Sequence, residues 1–224
     1  MWCVPAIDDE YVARMEDVLE LYARPVDPKE PVVCLDERPV VLHDCERPEL
    51  PARPGQPTRR DYEYVRCGTA NVFCVVEPKT GRRLTHATAR RTAKDFALAL
   101  RRIAGRYRRA RTIHLVVDNL NTHCEKSCVE AFGRAGLRLW QRFTVHYTPK
   151  HGSWLNAAEL EASLVSRECL GQRRLATLSA LRREIHCWAA AADTDRRTID
   201  WTFRVADARR VFRYPGITTL RSEH

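Results

Sequence analysis

Two short apolar runs each lead directly into an aspartate, and these carboxylates are the first candidates for chemistry. Residues 32–35 precede Asp36, and residues 113–117 precede Asp118. Short apolar runs rich in β-branched residues predict buried strands. In α/β proteins, ligands bind beyond the carboxyl ends of the strands. If the two strands are neighbours in one sheet, we expect both carboxylates to meet at the same edge.

A third carboxylate, Glu159, lies in the first turn of a helix predicted over residues 156–170. A trio of carboxylates supplies the hard oxygen ligands that Mg²⁺ prefers. Two such ions about 3.5–4 Å apart can activate an attacking water and stabilise the leaving oxygen of a phosphodiester. The trio therefore indicates a site for two Mg²⁺ ions, with Mn²⁺ as a substitute. Glu161 competes for the third position, but it projects from nearly the opposite helix face.

Each carboxylate also has a purely structural interpretation. Asp36 could be a solvated residue in a turn. Asp118 could cap the helix that follows it, and so could Asn119 or Asn121. Residues 156–159 have the spacing of a capping box, in which Glu159 would bond back to the start of its helix. Considered one at a time, the three residues do not decide between chemistry and capping.

The rest of the chain supplies elements that could position these side chains. Helices are predicted over residues 11–22, 92–107, 122–135, 156–170 and 178–192, with Gly136 closing the third. Strands are predicted over residues 31–37, 62–77, 84–88, 113–117 and 142–147, and residues 43–60 are predicted to be a proline-rich loop. This order predicts one α/β domain, residues 32–195, whose mixed five-stranded sheet is flanked by helices. Residues 1–31 form an N-terminal helix and connector, and residues 196–224 a C-terminal tail.

The charge balance favours a polyanionic partner. The 224 residues carry a formal net charge of +9, and arginine far outnumbers lysine. The planar guanidinium group suits phosphate contacts, although a genome-wide codon bias would give the same excess. Some of these cations could instead complement the C-terminal end of a helix. The candidates for binding backbone phosphates are Arg101, Arg102, Arg108, Arg109, Arg173 and Arg174.

The cysteines and the hydropathy pattern indicate the compartment. The nine cysteines are scattered and never form a CxxC pair, which is typical of a reducing environment. His123, Cys124 and Cys128 are close in sequence, but no second ligand pair at zinc-finger spacing follows, so free thiols are favoured. No run approaches the roughly 18 apolar residues of a membrane span, and the N-terminus lacks a signal-peptide pattern. We expect a cytoplasmic protein with no membrane partner.

Three blocks of the sequence resemble the signature blocks of mariner-superfamily transposases, and the bacterial insertion-sequence branch is the most similar. The blocks are residues 33–37, 115–123 and 151–159, and the likeness extends from about Trp2 to Pro215. The resemblance implies a ribonuclease-H-like catalytic domain whose metal-binding triad is Asp36, Asp118 and Glu159. It further implies metal-dependent cleavage of DNA at the ends of an insertion sequence and transfer of the freed strand to target DNA. Such an enzyme would be dimeric when active and would work at the nucleoid.

Other residues of these blocks are candidates for supporting the triad or for contacting DNA. They are Asn119, His151, Trp154 and Asn156. An indole in this position could equally serve as a core anchor, so for Trp154 packing is the alternative role.

The resemblance departs from the family pattern at the N-terminus. Family members usually carry an N-terminal helix-turn-helix region that recognises the element ends, whereas about 30 residues precede the first predicted strand here. We therefore expect either a helix-turn-helix partner encoded separately, for example through frameshifting, or a truncated relic. The rival function is a non-catalytic DNA-binding remnant of a transposase. A nuclease selective for RNA–DNA hybrids is a second enzymatic alternative.

Overall fold

A mixed five-stranded sheet forms the centre of the computed structural model, which describes residues 7–59 and 61–214. Its strands are β1 (Val32–Cys45), β2 (Tyr64–Glu77), β3 (Arg82–Thr88), β4 (Ile113–Val117) and β5 (Phe143–Tyr147). They lie in the order β3-β2-β1-β4-β5. β1 pairs antiparallel with β2, and β2 with β3, whereas β1–β4 and β4–β5 are parallel pairs. The predicted α/β architecture with a mixed five-stranded sheet is confirmed.

Seven α-helices surround the sheet in the described part of the chain. They are α1 (Asp9–Ala23), α2 (Ala93–Arg106), α3 (Glu125–Phe132), α4 (Arg134–Trp140), α5 (Ala158–Leu164), α6 (Leu178–Asp195) and α7 (Val205–Phe212). A 3-10 turn, Ser153–Leu155, precedes α5, and a π-helical segment, Val165–Leu170, follows it. None of the described helices is long and apolar enough to cross a membrane.

The two faces of the sheet bury different helices because successive side chains of a strand point to opposite sides. On one face, Val33 and Leu35 of β1 pack in a core with residues of α2 and α3. On the other face, Cys34 packs with α1, α5 and α7, and Cys74 of β2 packs with α6 and the π-helical segment. The eight cysteines within residues 7–59 and 61–214 form no disulfide with one another. The limits of the sequence resemblance, Trp2 and Pro215, lie outside the described residues.

The first strand is longer than predicted, since β1 does not end at Asp36 but continues to Cys45. Its pairing with β4 stops at Cys34, and its outer half pairs only with β2. The predicted loop over residues 43–60 therefore begins too early. Pro39 lies in this outer part of β1, which has no neighbour on the β4 side, and proline is tolerated in such a position.

The helix predicted over residues 122–135 is in fact two helices, α3 and α4, and Gly136 does not close it. The break lies at Gly133, whose φ of 57° is in the left-handed region that favours glycine. Gly136 lies inside α4, where a Cβ atom would come within 1.9 Å of the Cys128 carbonyl oxygen. Gly136 is thus a packing residue that lets α4 approach α3.

Candidate active site

The parallel pair β1–β4 brings the two aspartates to the same edge of the sheet. Cys34 is paired with Val116. Asp36 and Asp118 each lie two positions further along the sequence than these paired residues. β4 ends at Val117, so the chain leaves the sheet at Asp118, while β1 continues beside β2. The two strands are thus neighbours, which is the condition under which the two carboxylates meet at one edge.

Asp36 experiences the charges of both other predicted ligands. Burial raises the pKa of Asp36 to about 6, and a hydrogen bond from the Glu37 backbone opposes this rise. The negative charges of Glu159, Asp118 and Glu37 contribute to the same rise of the pKa. Nearby like charges disfavour the ionised form of a carboxyl group in this way.

Glu159 is held near Asp36 by the segment that precedes α5. The buried Asn156 side chain donates from Nδ2 to the Leu35 carbonyl oxygen at 2.8 Å, next to Asp36 in the chain. Its Oδ1 accepts from the Ala158 backbone N–H at 3.1 Å. One amide therefore ties β1 to the start of α5. Glu159 itself is exposed in the first turn of that helix.

The capping box for which residues 156–159 have the spacing is not formed. The backbone N–H of Asn156 donates to the Ser153 carbonyl of the 3-10 turn, so it is not available to Glu159. Asn156 bonds to the second residue after it instead of to the third, and α5 begins at Ala158 with no side-chain cap. The capping role of Asn119 is also wrong, since α3 begins only at Glu125 and has no side-chain cap.

The three carboxylates are the kind of ligand that a divalent cation prefers, although their side chains do not surround a common point. Among the described residues, no three His, Cys, Asp or Glu side chains stand close enough to hold a metal ion as they are. Asp36 and Glu159 line one open cleft of about 490 Å³, together with Arg38 and Arg167. Hard oxygen ligands with mutual repulsion are what Mg²⁺ or Mn²⁺ would neutralise. Asp36, Asp118 and Glu159 are the residues that would hold it.

Asp118 has a partner that the sequence did not single out for this role. Nδ1 of His123 lies 2.7 Å from Oδ1 of Asp118, and its Nε2 lies 3.2 Å from Oε1 of Glu37. Burial opposes the charged imidazolium, but the hydrogen bonds to Asp118 and Glu37 outweigh it and raise the pKa of His123 to about 9. The spacing from Asp118 was visible in the sequence, whereas Glu37, on another strand, was not.

The other predicted neighbours of the triad have different environments. Asn119 accepts a hydrogen bond from Arg14 of α1 and donates to the Thr148 carbonyl, so it fastens the loop after β4. His151 is exposed and has a left-handed backbone, with a φ of 63°. Trp154 is half-buried and stacks on Trp201, with ring centroids 6.4 Å apart, which favours its packing role.

The structure does not gather the predicted phosphate-binding arginines at the triad. Arg108 and Arg109 line an open hollow near the start of β4, whereas Asp118 follows its end. The Arg173 guanidinium is paired with Glu184. Arg174 donates to the carbonyl oxygens of residues 61–63. Arg101 lies over the Phe132 ring, 4.8 Å from its centroid, and Arg102 helps to lower the pKa of His86, after burial, to about 4.

Several solved structures share this arrangement of elements. They include the Mos1 strand transfer complex (15% identity, TM-score 0.55, covering 88% of this chain and 59% of that chain). The Mos1 mariner paired end complex with Mn is similar at 17% identity and a TM-score of 0.53, covering 85% and 58%. The mariner Mos1 paired end complex with Mg has 16% sequence identity and a TM-score of 0.52, and the match covers 88% of this chain and 59% of that chain. At such identities the likeness shows the fold, which is the predicted ribonuclease-H-like fold of these transposases.

The sequence comparisons give the family. The chain spans less than two thirds of the length of the Mos1 chains that it matches. No curated protein matches the sequence significantly. A family model described as DDE superfamily endonuclease matches residues 31–182, well over half of the sequence, and the chain therefore belongs to the DDE superfamily of endonucleases.

Proposed function

We propose that this chain is the catalytic domain of a transposase, formed by residues 32–195, that cuts DNA with the help of divalent metal ions. One observation carries the proposal. The β1–β4 register brings Asp36 and Asp118 to the same edge of the sheet, and Asp36 lines one cleft with Glu159, so the three residues that the sequence blocks select are grouped there. Membership of an endonuclease family and the fold shared with Mos1 transposase support the same conclusion.

The three carboxylates have different tasks in this proposal. Asp36 lies on a paired strand and provides the most rigid ligand. Asp118 lies just beyond β4 and provides the second, and Glu159, on the exposed first turn of α5, can turn toward both. When bound, two Mg²⁺ or Mn²⁺ ions would activate the attacking water or hydroxyl and stabilise the leaving oxygen of a phosphodiester. The protein contributes positioning and charge, and no covalent step.

The proposal extends to substrate and assembly. The similar Mos1 structures include a strand transfer complex and paired end complexes. We propose that this chain likewise acts on the ends of an insertion sequence and transfers the freed 3′-hydroxyl to target DNA, as a dimer. The three sequence blocks support placement in the mariner superfamily, within its bacterial insertion-sequence branch.

Nicking of supercoiled plasmid DNA in the presence of Mn²⁺ or Mg²⁺ tests the catalytic proposal. We expect the unmodified chain to nick DNA only when metal is added. Asp36→Asn, Asp118→Asn and Glu159→Gln should each reduce the rate by at least 100-fold, because each removes a charged ligand. Asp44→Asn is the matched control, since Asp44 is an exposed carboxylate on the same strand as Asp36.

Two results would count against the proposal. Full nicking activity of Asp118→Asn would show that the triad is not the catalytic centre. Salt-dependent DNA binding by the intact triad without any metal-dependent nicking would favour the non-catalytic DNA-binding remnant instead. Preferential cleavage of RNA–DNA hybrids over duplex DNA would identify a different nuclease.

A further inference from the structure

His123 stands between two carboxylates that lie on different strands of the sheet. Its Nδ1 lies 2.7 Å from Oδ1 of Asp118 and 3.2 Å from the Asp118 backbone carbonyl oxygen, and its Nε2 lies 3.2 Å from Oε1 of Glu37. A carboxylate oxygen accepts hydrogen bonds, so each of these contacts needs an N–H group on the ring. Contacts at both ring nitrogens fix the orientation of the imidazole between the two carboxylates.

The ring itself has little freedom to move. The His123 side chain is buried and stacks on Phe96 of α2, with centroids 4.5 Å apart. Its backbone carbonyl accepts a hydrogen bond from the Tyr147 hydroxyl at 2.7 Å, and its backbone N–H donates to the Leu120 carbonyl. The imidazole is therefore a fixed point against which a more mobile carboxylate can be held.

Glu37 supports His123 from the side of the sheet opposite to Asp36. The two residues are adjacent in β1, so their side chains point to opposite faces. The Glu37 side chain is 3% exposed, and its second oxygen has no hydrogen-bond partner among the described residues. Glu37 therefore interacts with His123 and, through it, with Asp118. β1 thus contributes Glu37 on one face of the sheet and Asp36 on the other.

Asp118 is the ligand that needs such support. It follows the last residue of β4, so no strand pairing holds its backbone, and it is partly exposed. We propose that His123, held by Glu37, is a positioning residue that fixes the Asp118 carboxylate for metal binding. This inference rests on the proposed function, because it assumes that Asp118 is a ligand. Hydrogen bonds to ligating side chains commonly contribute about 10- to 100-fold to metal affinity.

Two amide substitutions at His123 separate its two contacts. The amide nitrogen of asparagine lies near the place of Nδ1, and that of glutamine near the place of Nε2. His123→Asn thus retains a donor toward Asp118, whereas His123→Gln retains one toward Glu37 and loses the contact with Asp118. His114→Gln is the matched control, since His114 is a buried histidine on β4 that pairs with His146 at 2.9 Å.

Mn²⁺ affinity of the full chain, measured by electron paramagnetic resonance of the free ion, tests the inference without an activity assay. We expect His123→Gln to weaken Mn²⁺ binding by about 10- to 100-fold. His123→Asn should weaken it clearly less, and His114→Gln should match the unmodified chain. Equal losses in the Asn and Gln variants would indicate a merely structural role and overturn the inference, as would affinities unchanged in both.

Glu37→Gln tests the contact between Glu37 and His123. It leaves the packing of the imidazole ring intact, so it remains informative even if the His123→Gln variant fails to fold. It should weaken Mn²⁺ binding when His123 is present and have little effect in the His123→Asn background. The same effect in both backgrounds would mean that Glu37 acts on the site directly, which contradicts the inference. If the unmodified chain binds Mn²⁺ no better than Asp118→Asn, the proposed function itself fails; binding by the unmodified chain with no effect at His123 refutes the inference alone.

Discussion

Two glutamates, two positions apart in α5, show how environment decides the role of a residue. Glu159 is exposed and adds its charge to the site around Asp36. Glu161 is fully buried, and its carboxylate lies 3.0 Å from Nε of Arg83, whose side chain is 1% exposed. The sequence offered both as the third carboxylate. Their burial gives Glu161 a structural role and leaves Glu159 free for the metal-binding role that we propose.

Replacing Glu161 should therefore reduce stability, whereas replacing Glu159 should reduce activity. Glu161→Gln leaves the Arg83 charge buried without its partner, which costs about 3–5 kcal/mol of unfolding free energy. Glu159→Gln should change stability by no more than about 0.5 kcal/mol, as exposed substitutions do, while abolishing metal-dependent nicking. Urea denaturation measures both. A Glu161→Gln variant as stable as the unmodified chain would mean that the pair does not support the fold.

At the residue scale, apolar runs and a helix start made Asp36, Asp118 and Glu159 candidates, and the resemblance of the three blocks selected them as a triad. It could not predict that Glu37 and Asp118 share His123, because that contact depends on the β1–β4 pairing and on the loop after β4. Long side chains are equally hard to place. Arg173 was a phosphate candidate by composition, yet its guanidinium is paired with Glu184.

At the scale of elements, the close approach of α3 and α4 depends on one glycine. A Cβ atom on Gly136 would lie 1.9 Å from the Cys128 carbonyl oxygen, so the two helices would have to separate. We expect Gly136→Ala to destabilise the protein by about 1–3 kcal/mol, the usual cost of overpacking. Thermal unfolding followed by circular dichroism measures the change.

Gly105 provides the control for this substitution. It lies in the last turn of α2, and a Cβ atom there would meet nothing within 4 Å. Gly105→Ala should therefore be neutral or stabilising by up to about 1 kcal/mol, because alanine loses less backbone entropy than glycine in a helix. Equal effects of the two substitutions would contradict the packing role of Gly136.

Element types were predictable, but several boundaries were not. Apolar periodicity located α1, α2 and α6 closely, because each buries one continuous stripe. Apolar periodicity did not reveal the break at Gly133, which is caused by the backbone conformation of that residue. It also did not reveal the change from α5 to the π-helical segment. The outer half of β1 was missed because it pairs only with β2 and its burial is irregular.

At the scale of the whole molecule, the C-terminal part of the described chain is fastened to its beginning. Arg209 of α7 donates two hydrogen bonds to the Glu16 carboxylate of α1, at 2.8 and 3.0 Å, and the Tyr214 hydroxyl donates a third. The Arg209 contact holds the pKa of Glu16 below its ordinary value of 4.5, against the opposing effect of burial. These bonds connect segments almost 200 positions apart.

The stability that Glu16 contributes should depend on pH. Since its pKa is lowered by folding, the contribution is complete above about pH 4.5 and is lost as the pH falls through the lowered value. Glu16→Gln should cost about 1–3 kcal/mol at neutral pH, and the difference from the unmodified chain should shrink below pH 4. Urea unfolding between pH 3 and pH 7 measures it. Glu10→Gln, which alters an exposed pair with Arg14, should show neither effect.

The sequence predicted the class of fold but not by itself the order of the strands. Whether β1 and β4 are neighbours follows from long-range pairing, and only the resemblance of the three blocks implied that they are. The register then confirms it, with Cys34 opposite Val116. The same limit applies to the cores, since one of them joins residues of α1, β4 and α7, which lie far apart in the sequence.

The most direct test of the central claim is the location of bound Mn²⁺ in crystals of this chain. We predict an anomalous difference peak at the edge of the sheet, within about 2.5 Å of carboxylate oxygens of Asp36 and Asp118 and facing Glu159. The Asp118→Asn variant should lose this peak under the same conditions. Crystals of the unmodified chain with no peak between these residues, or with Mn²⁺ only at other groups, would contradict the claim that Asp36, Asp118 and Glu159 form a metal-dependent catalytic site.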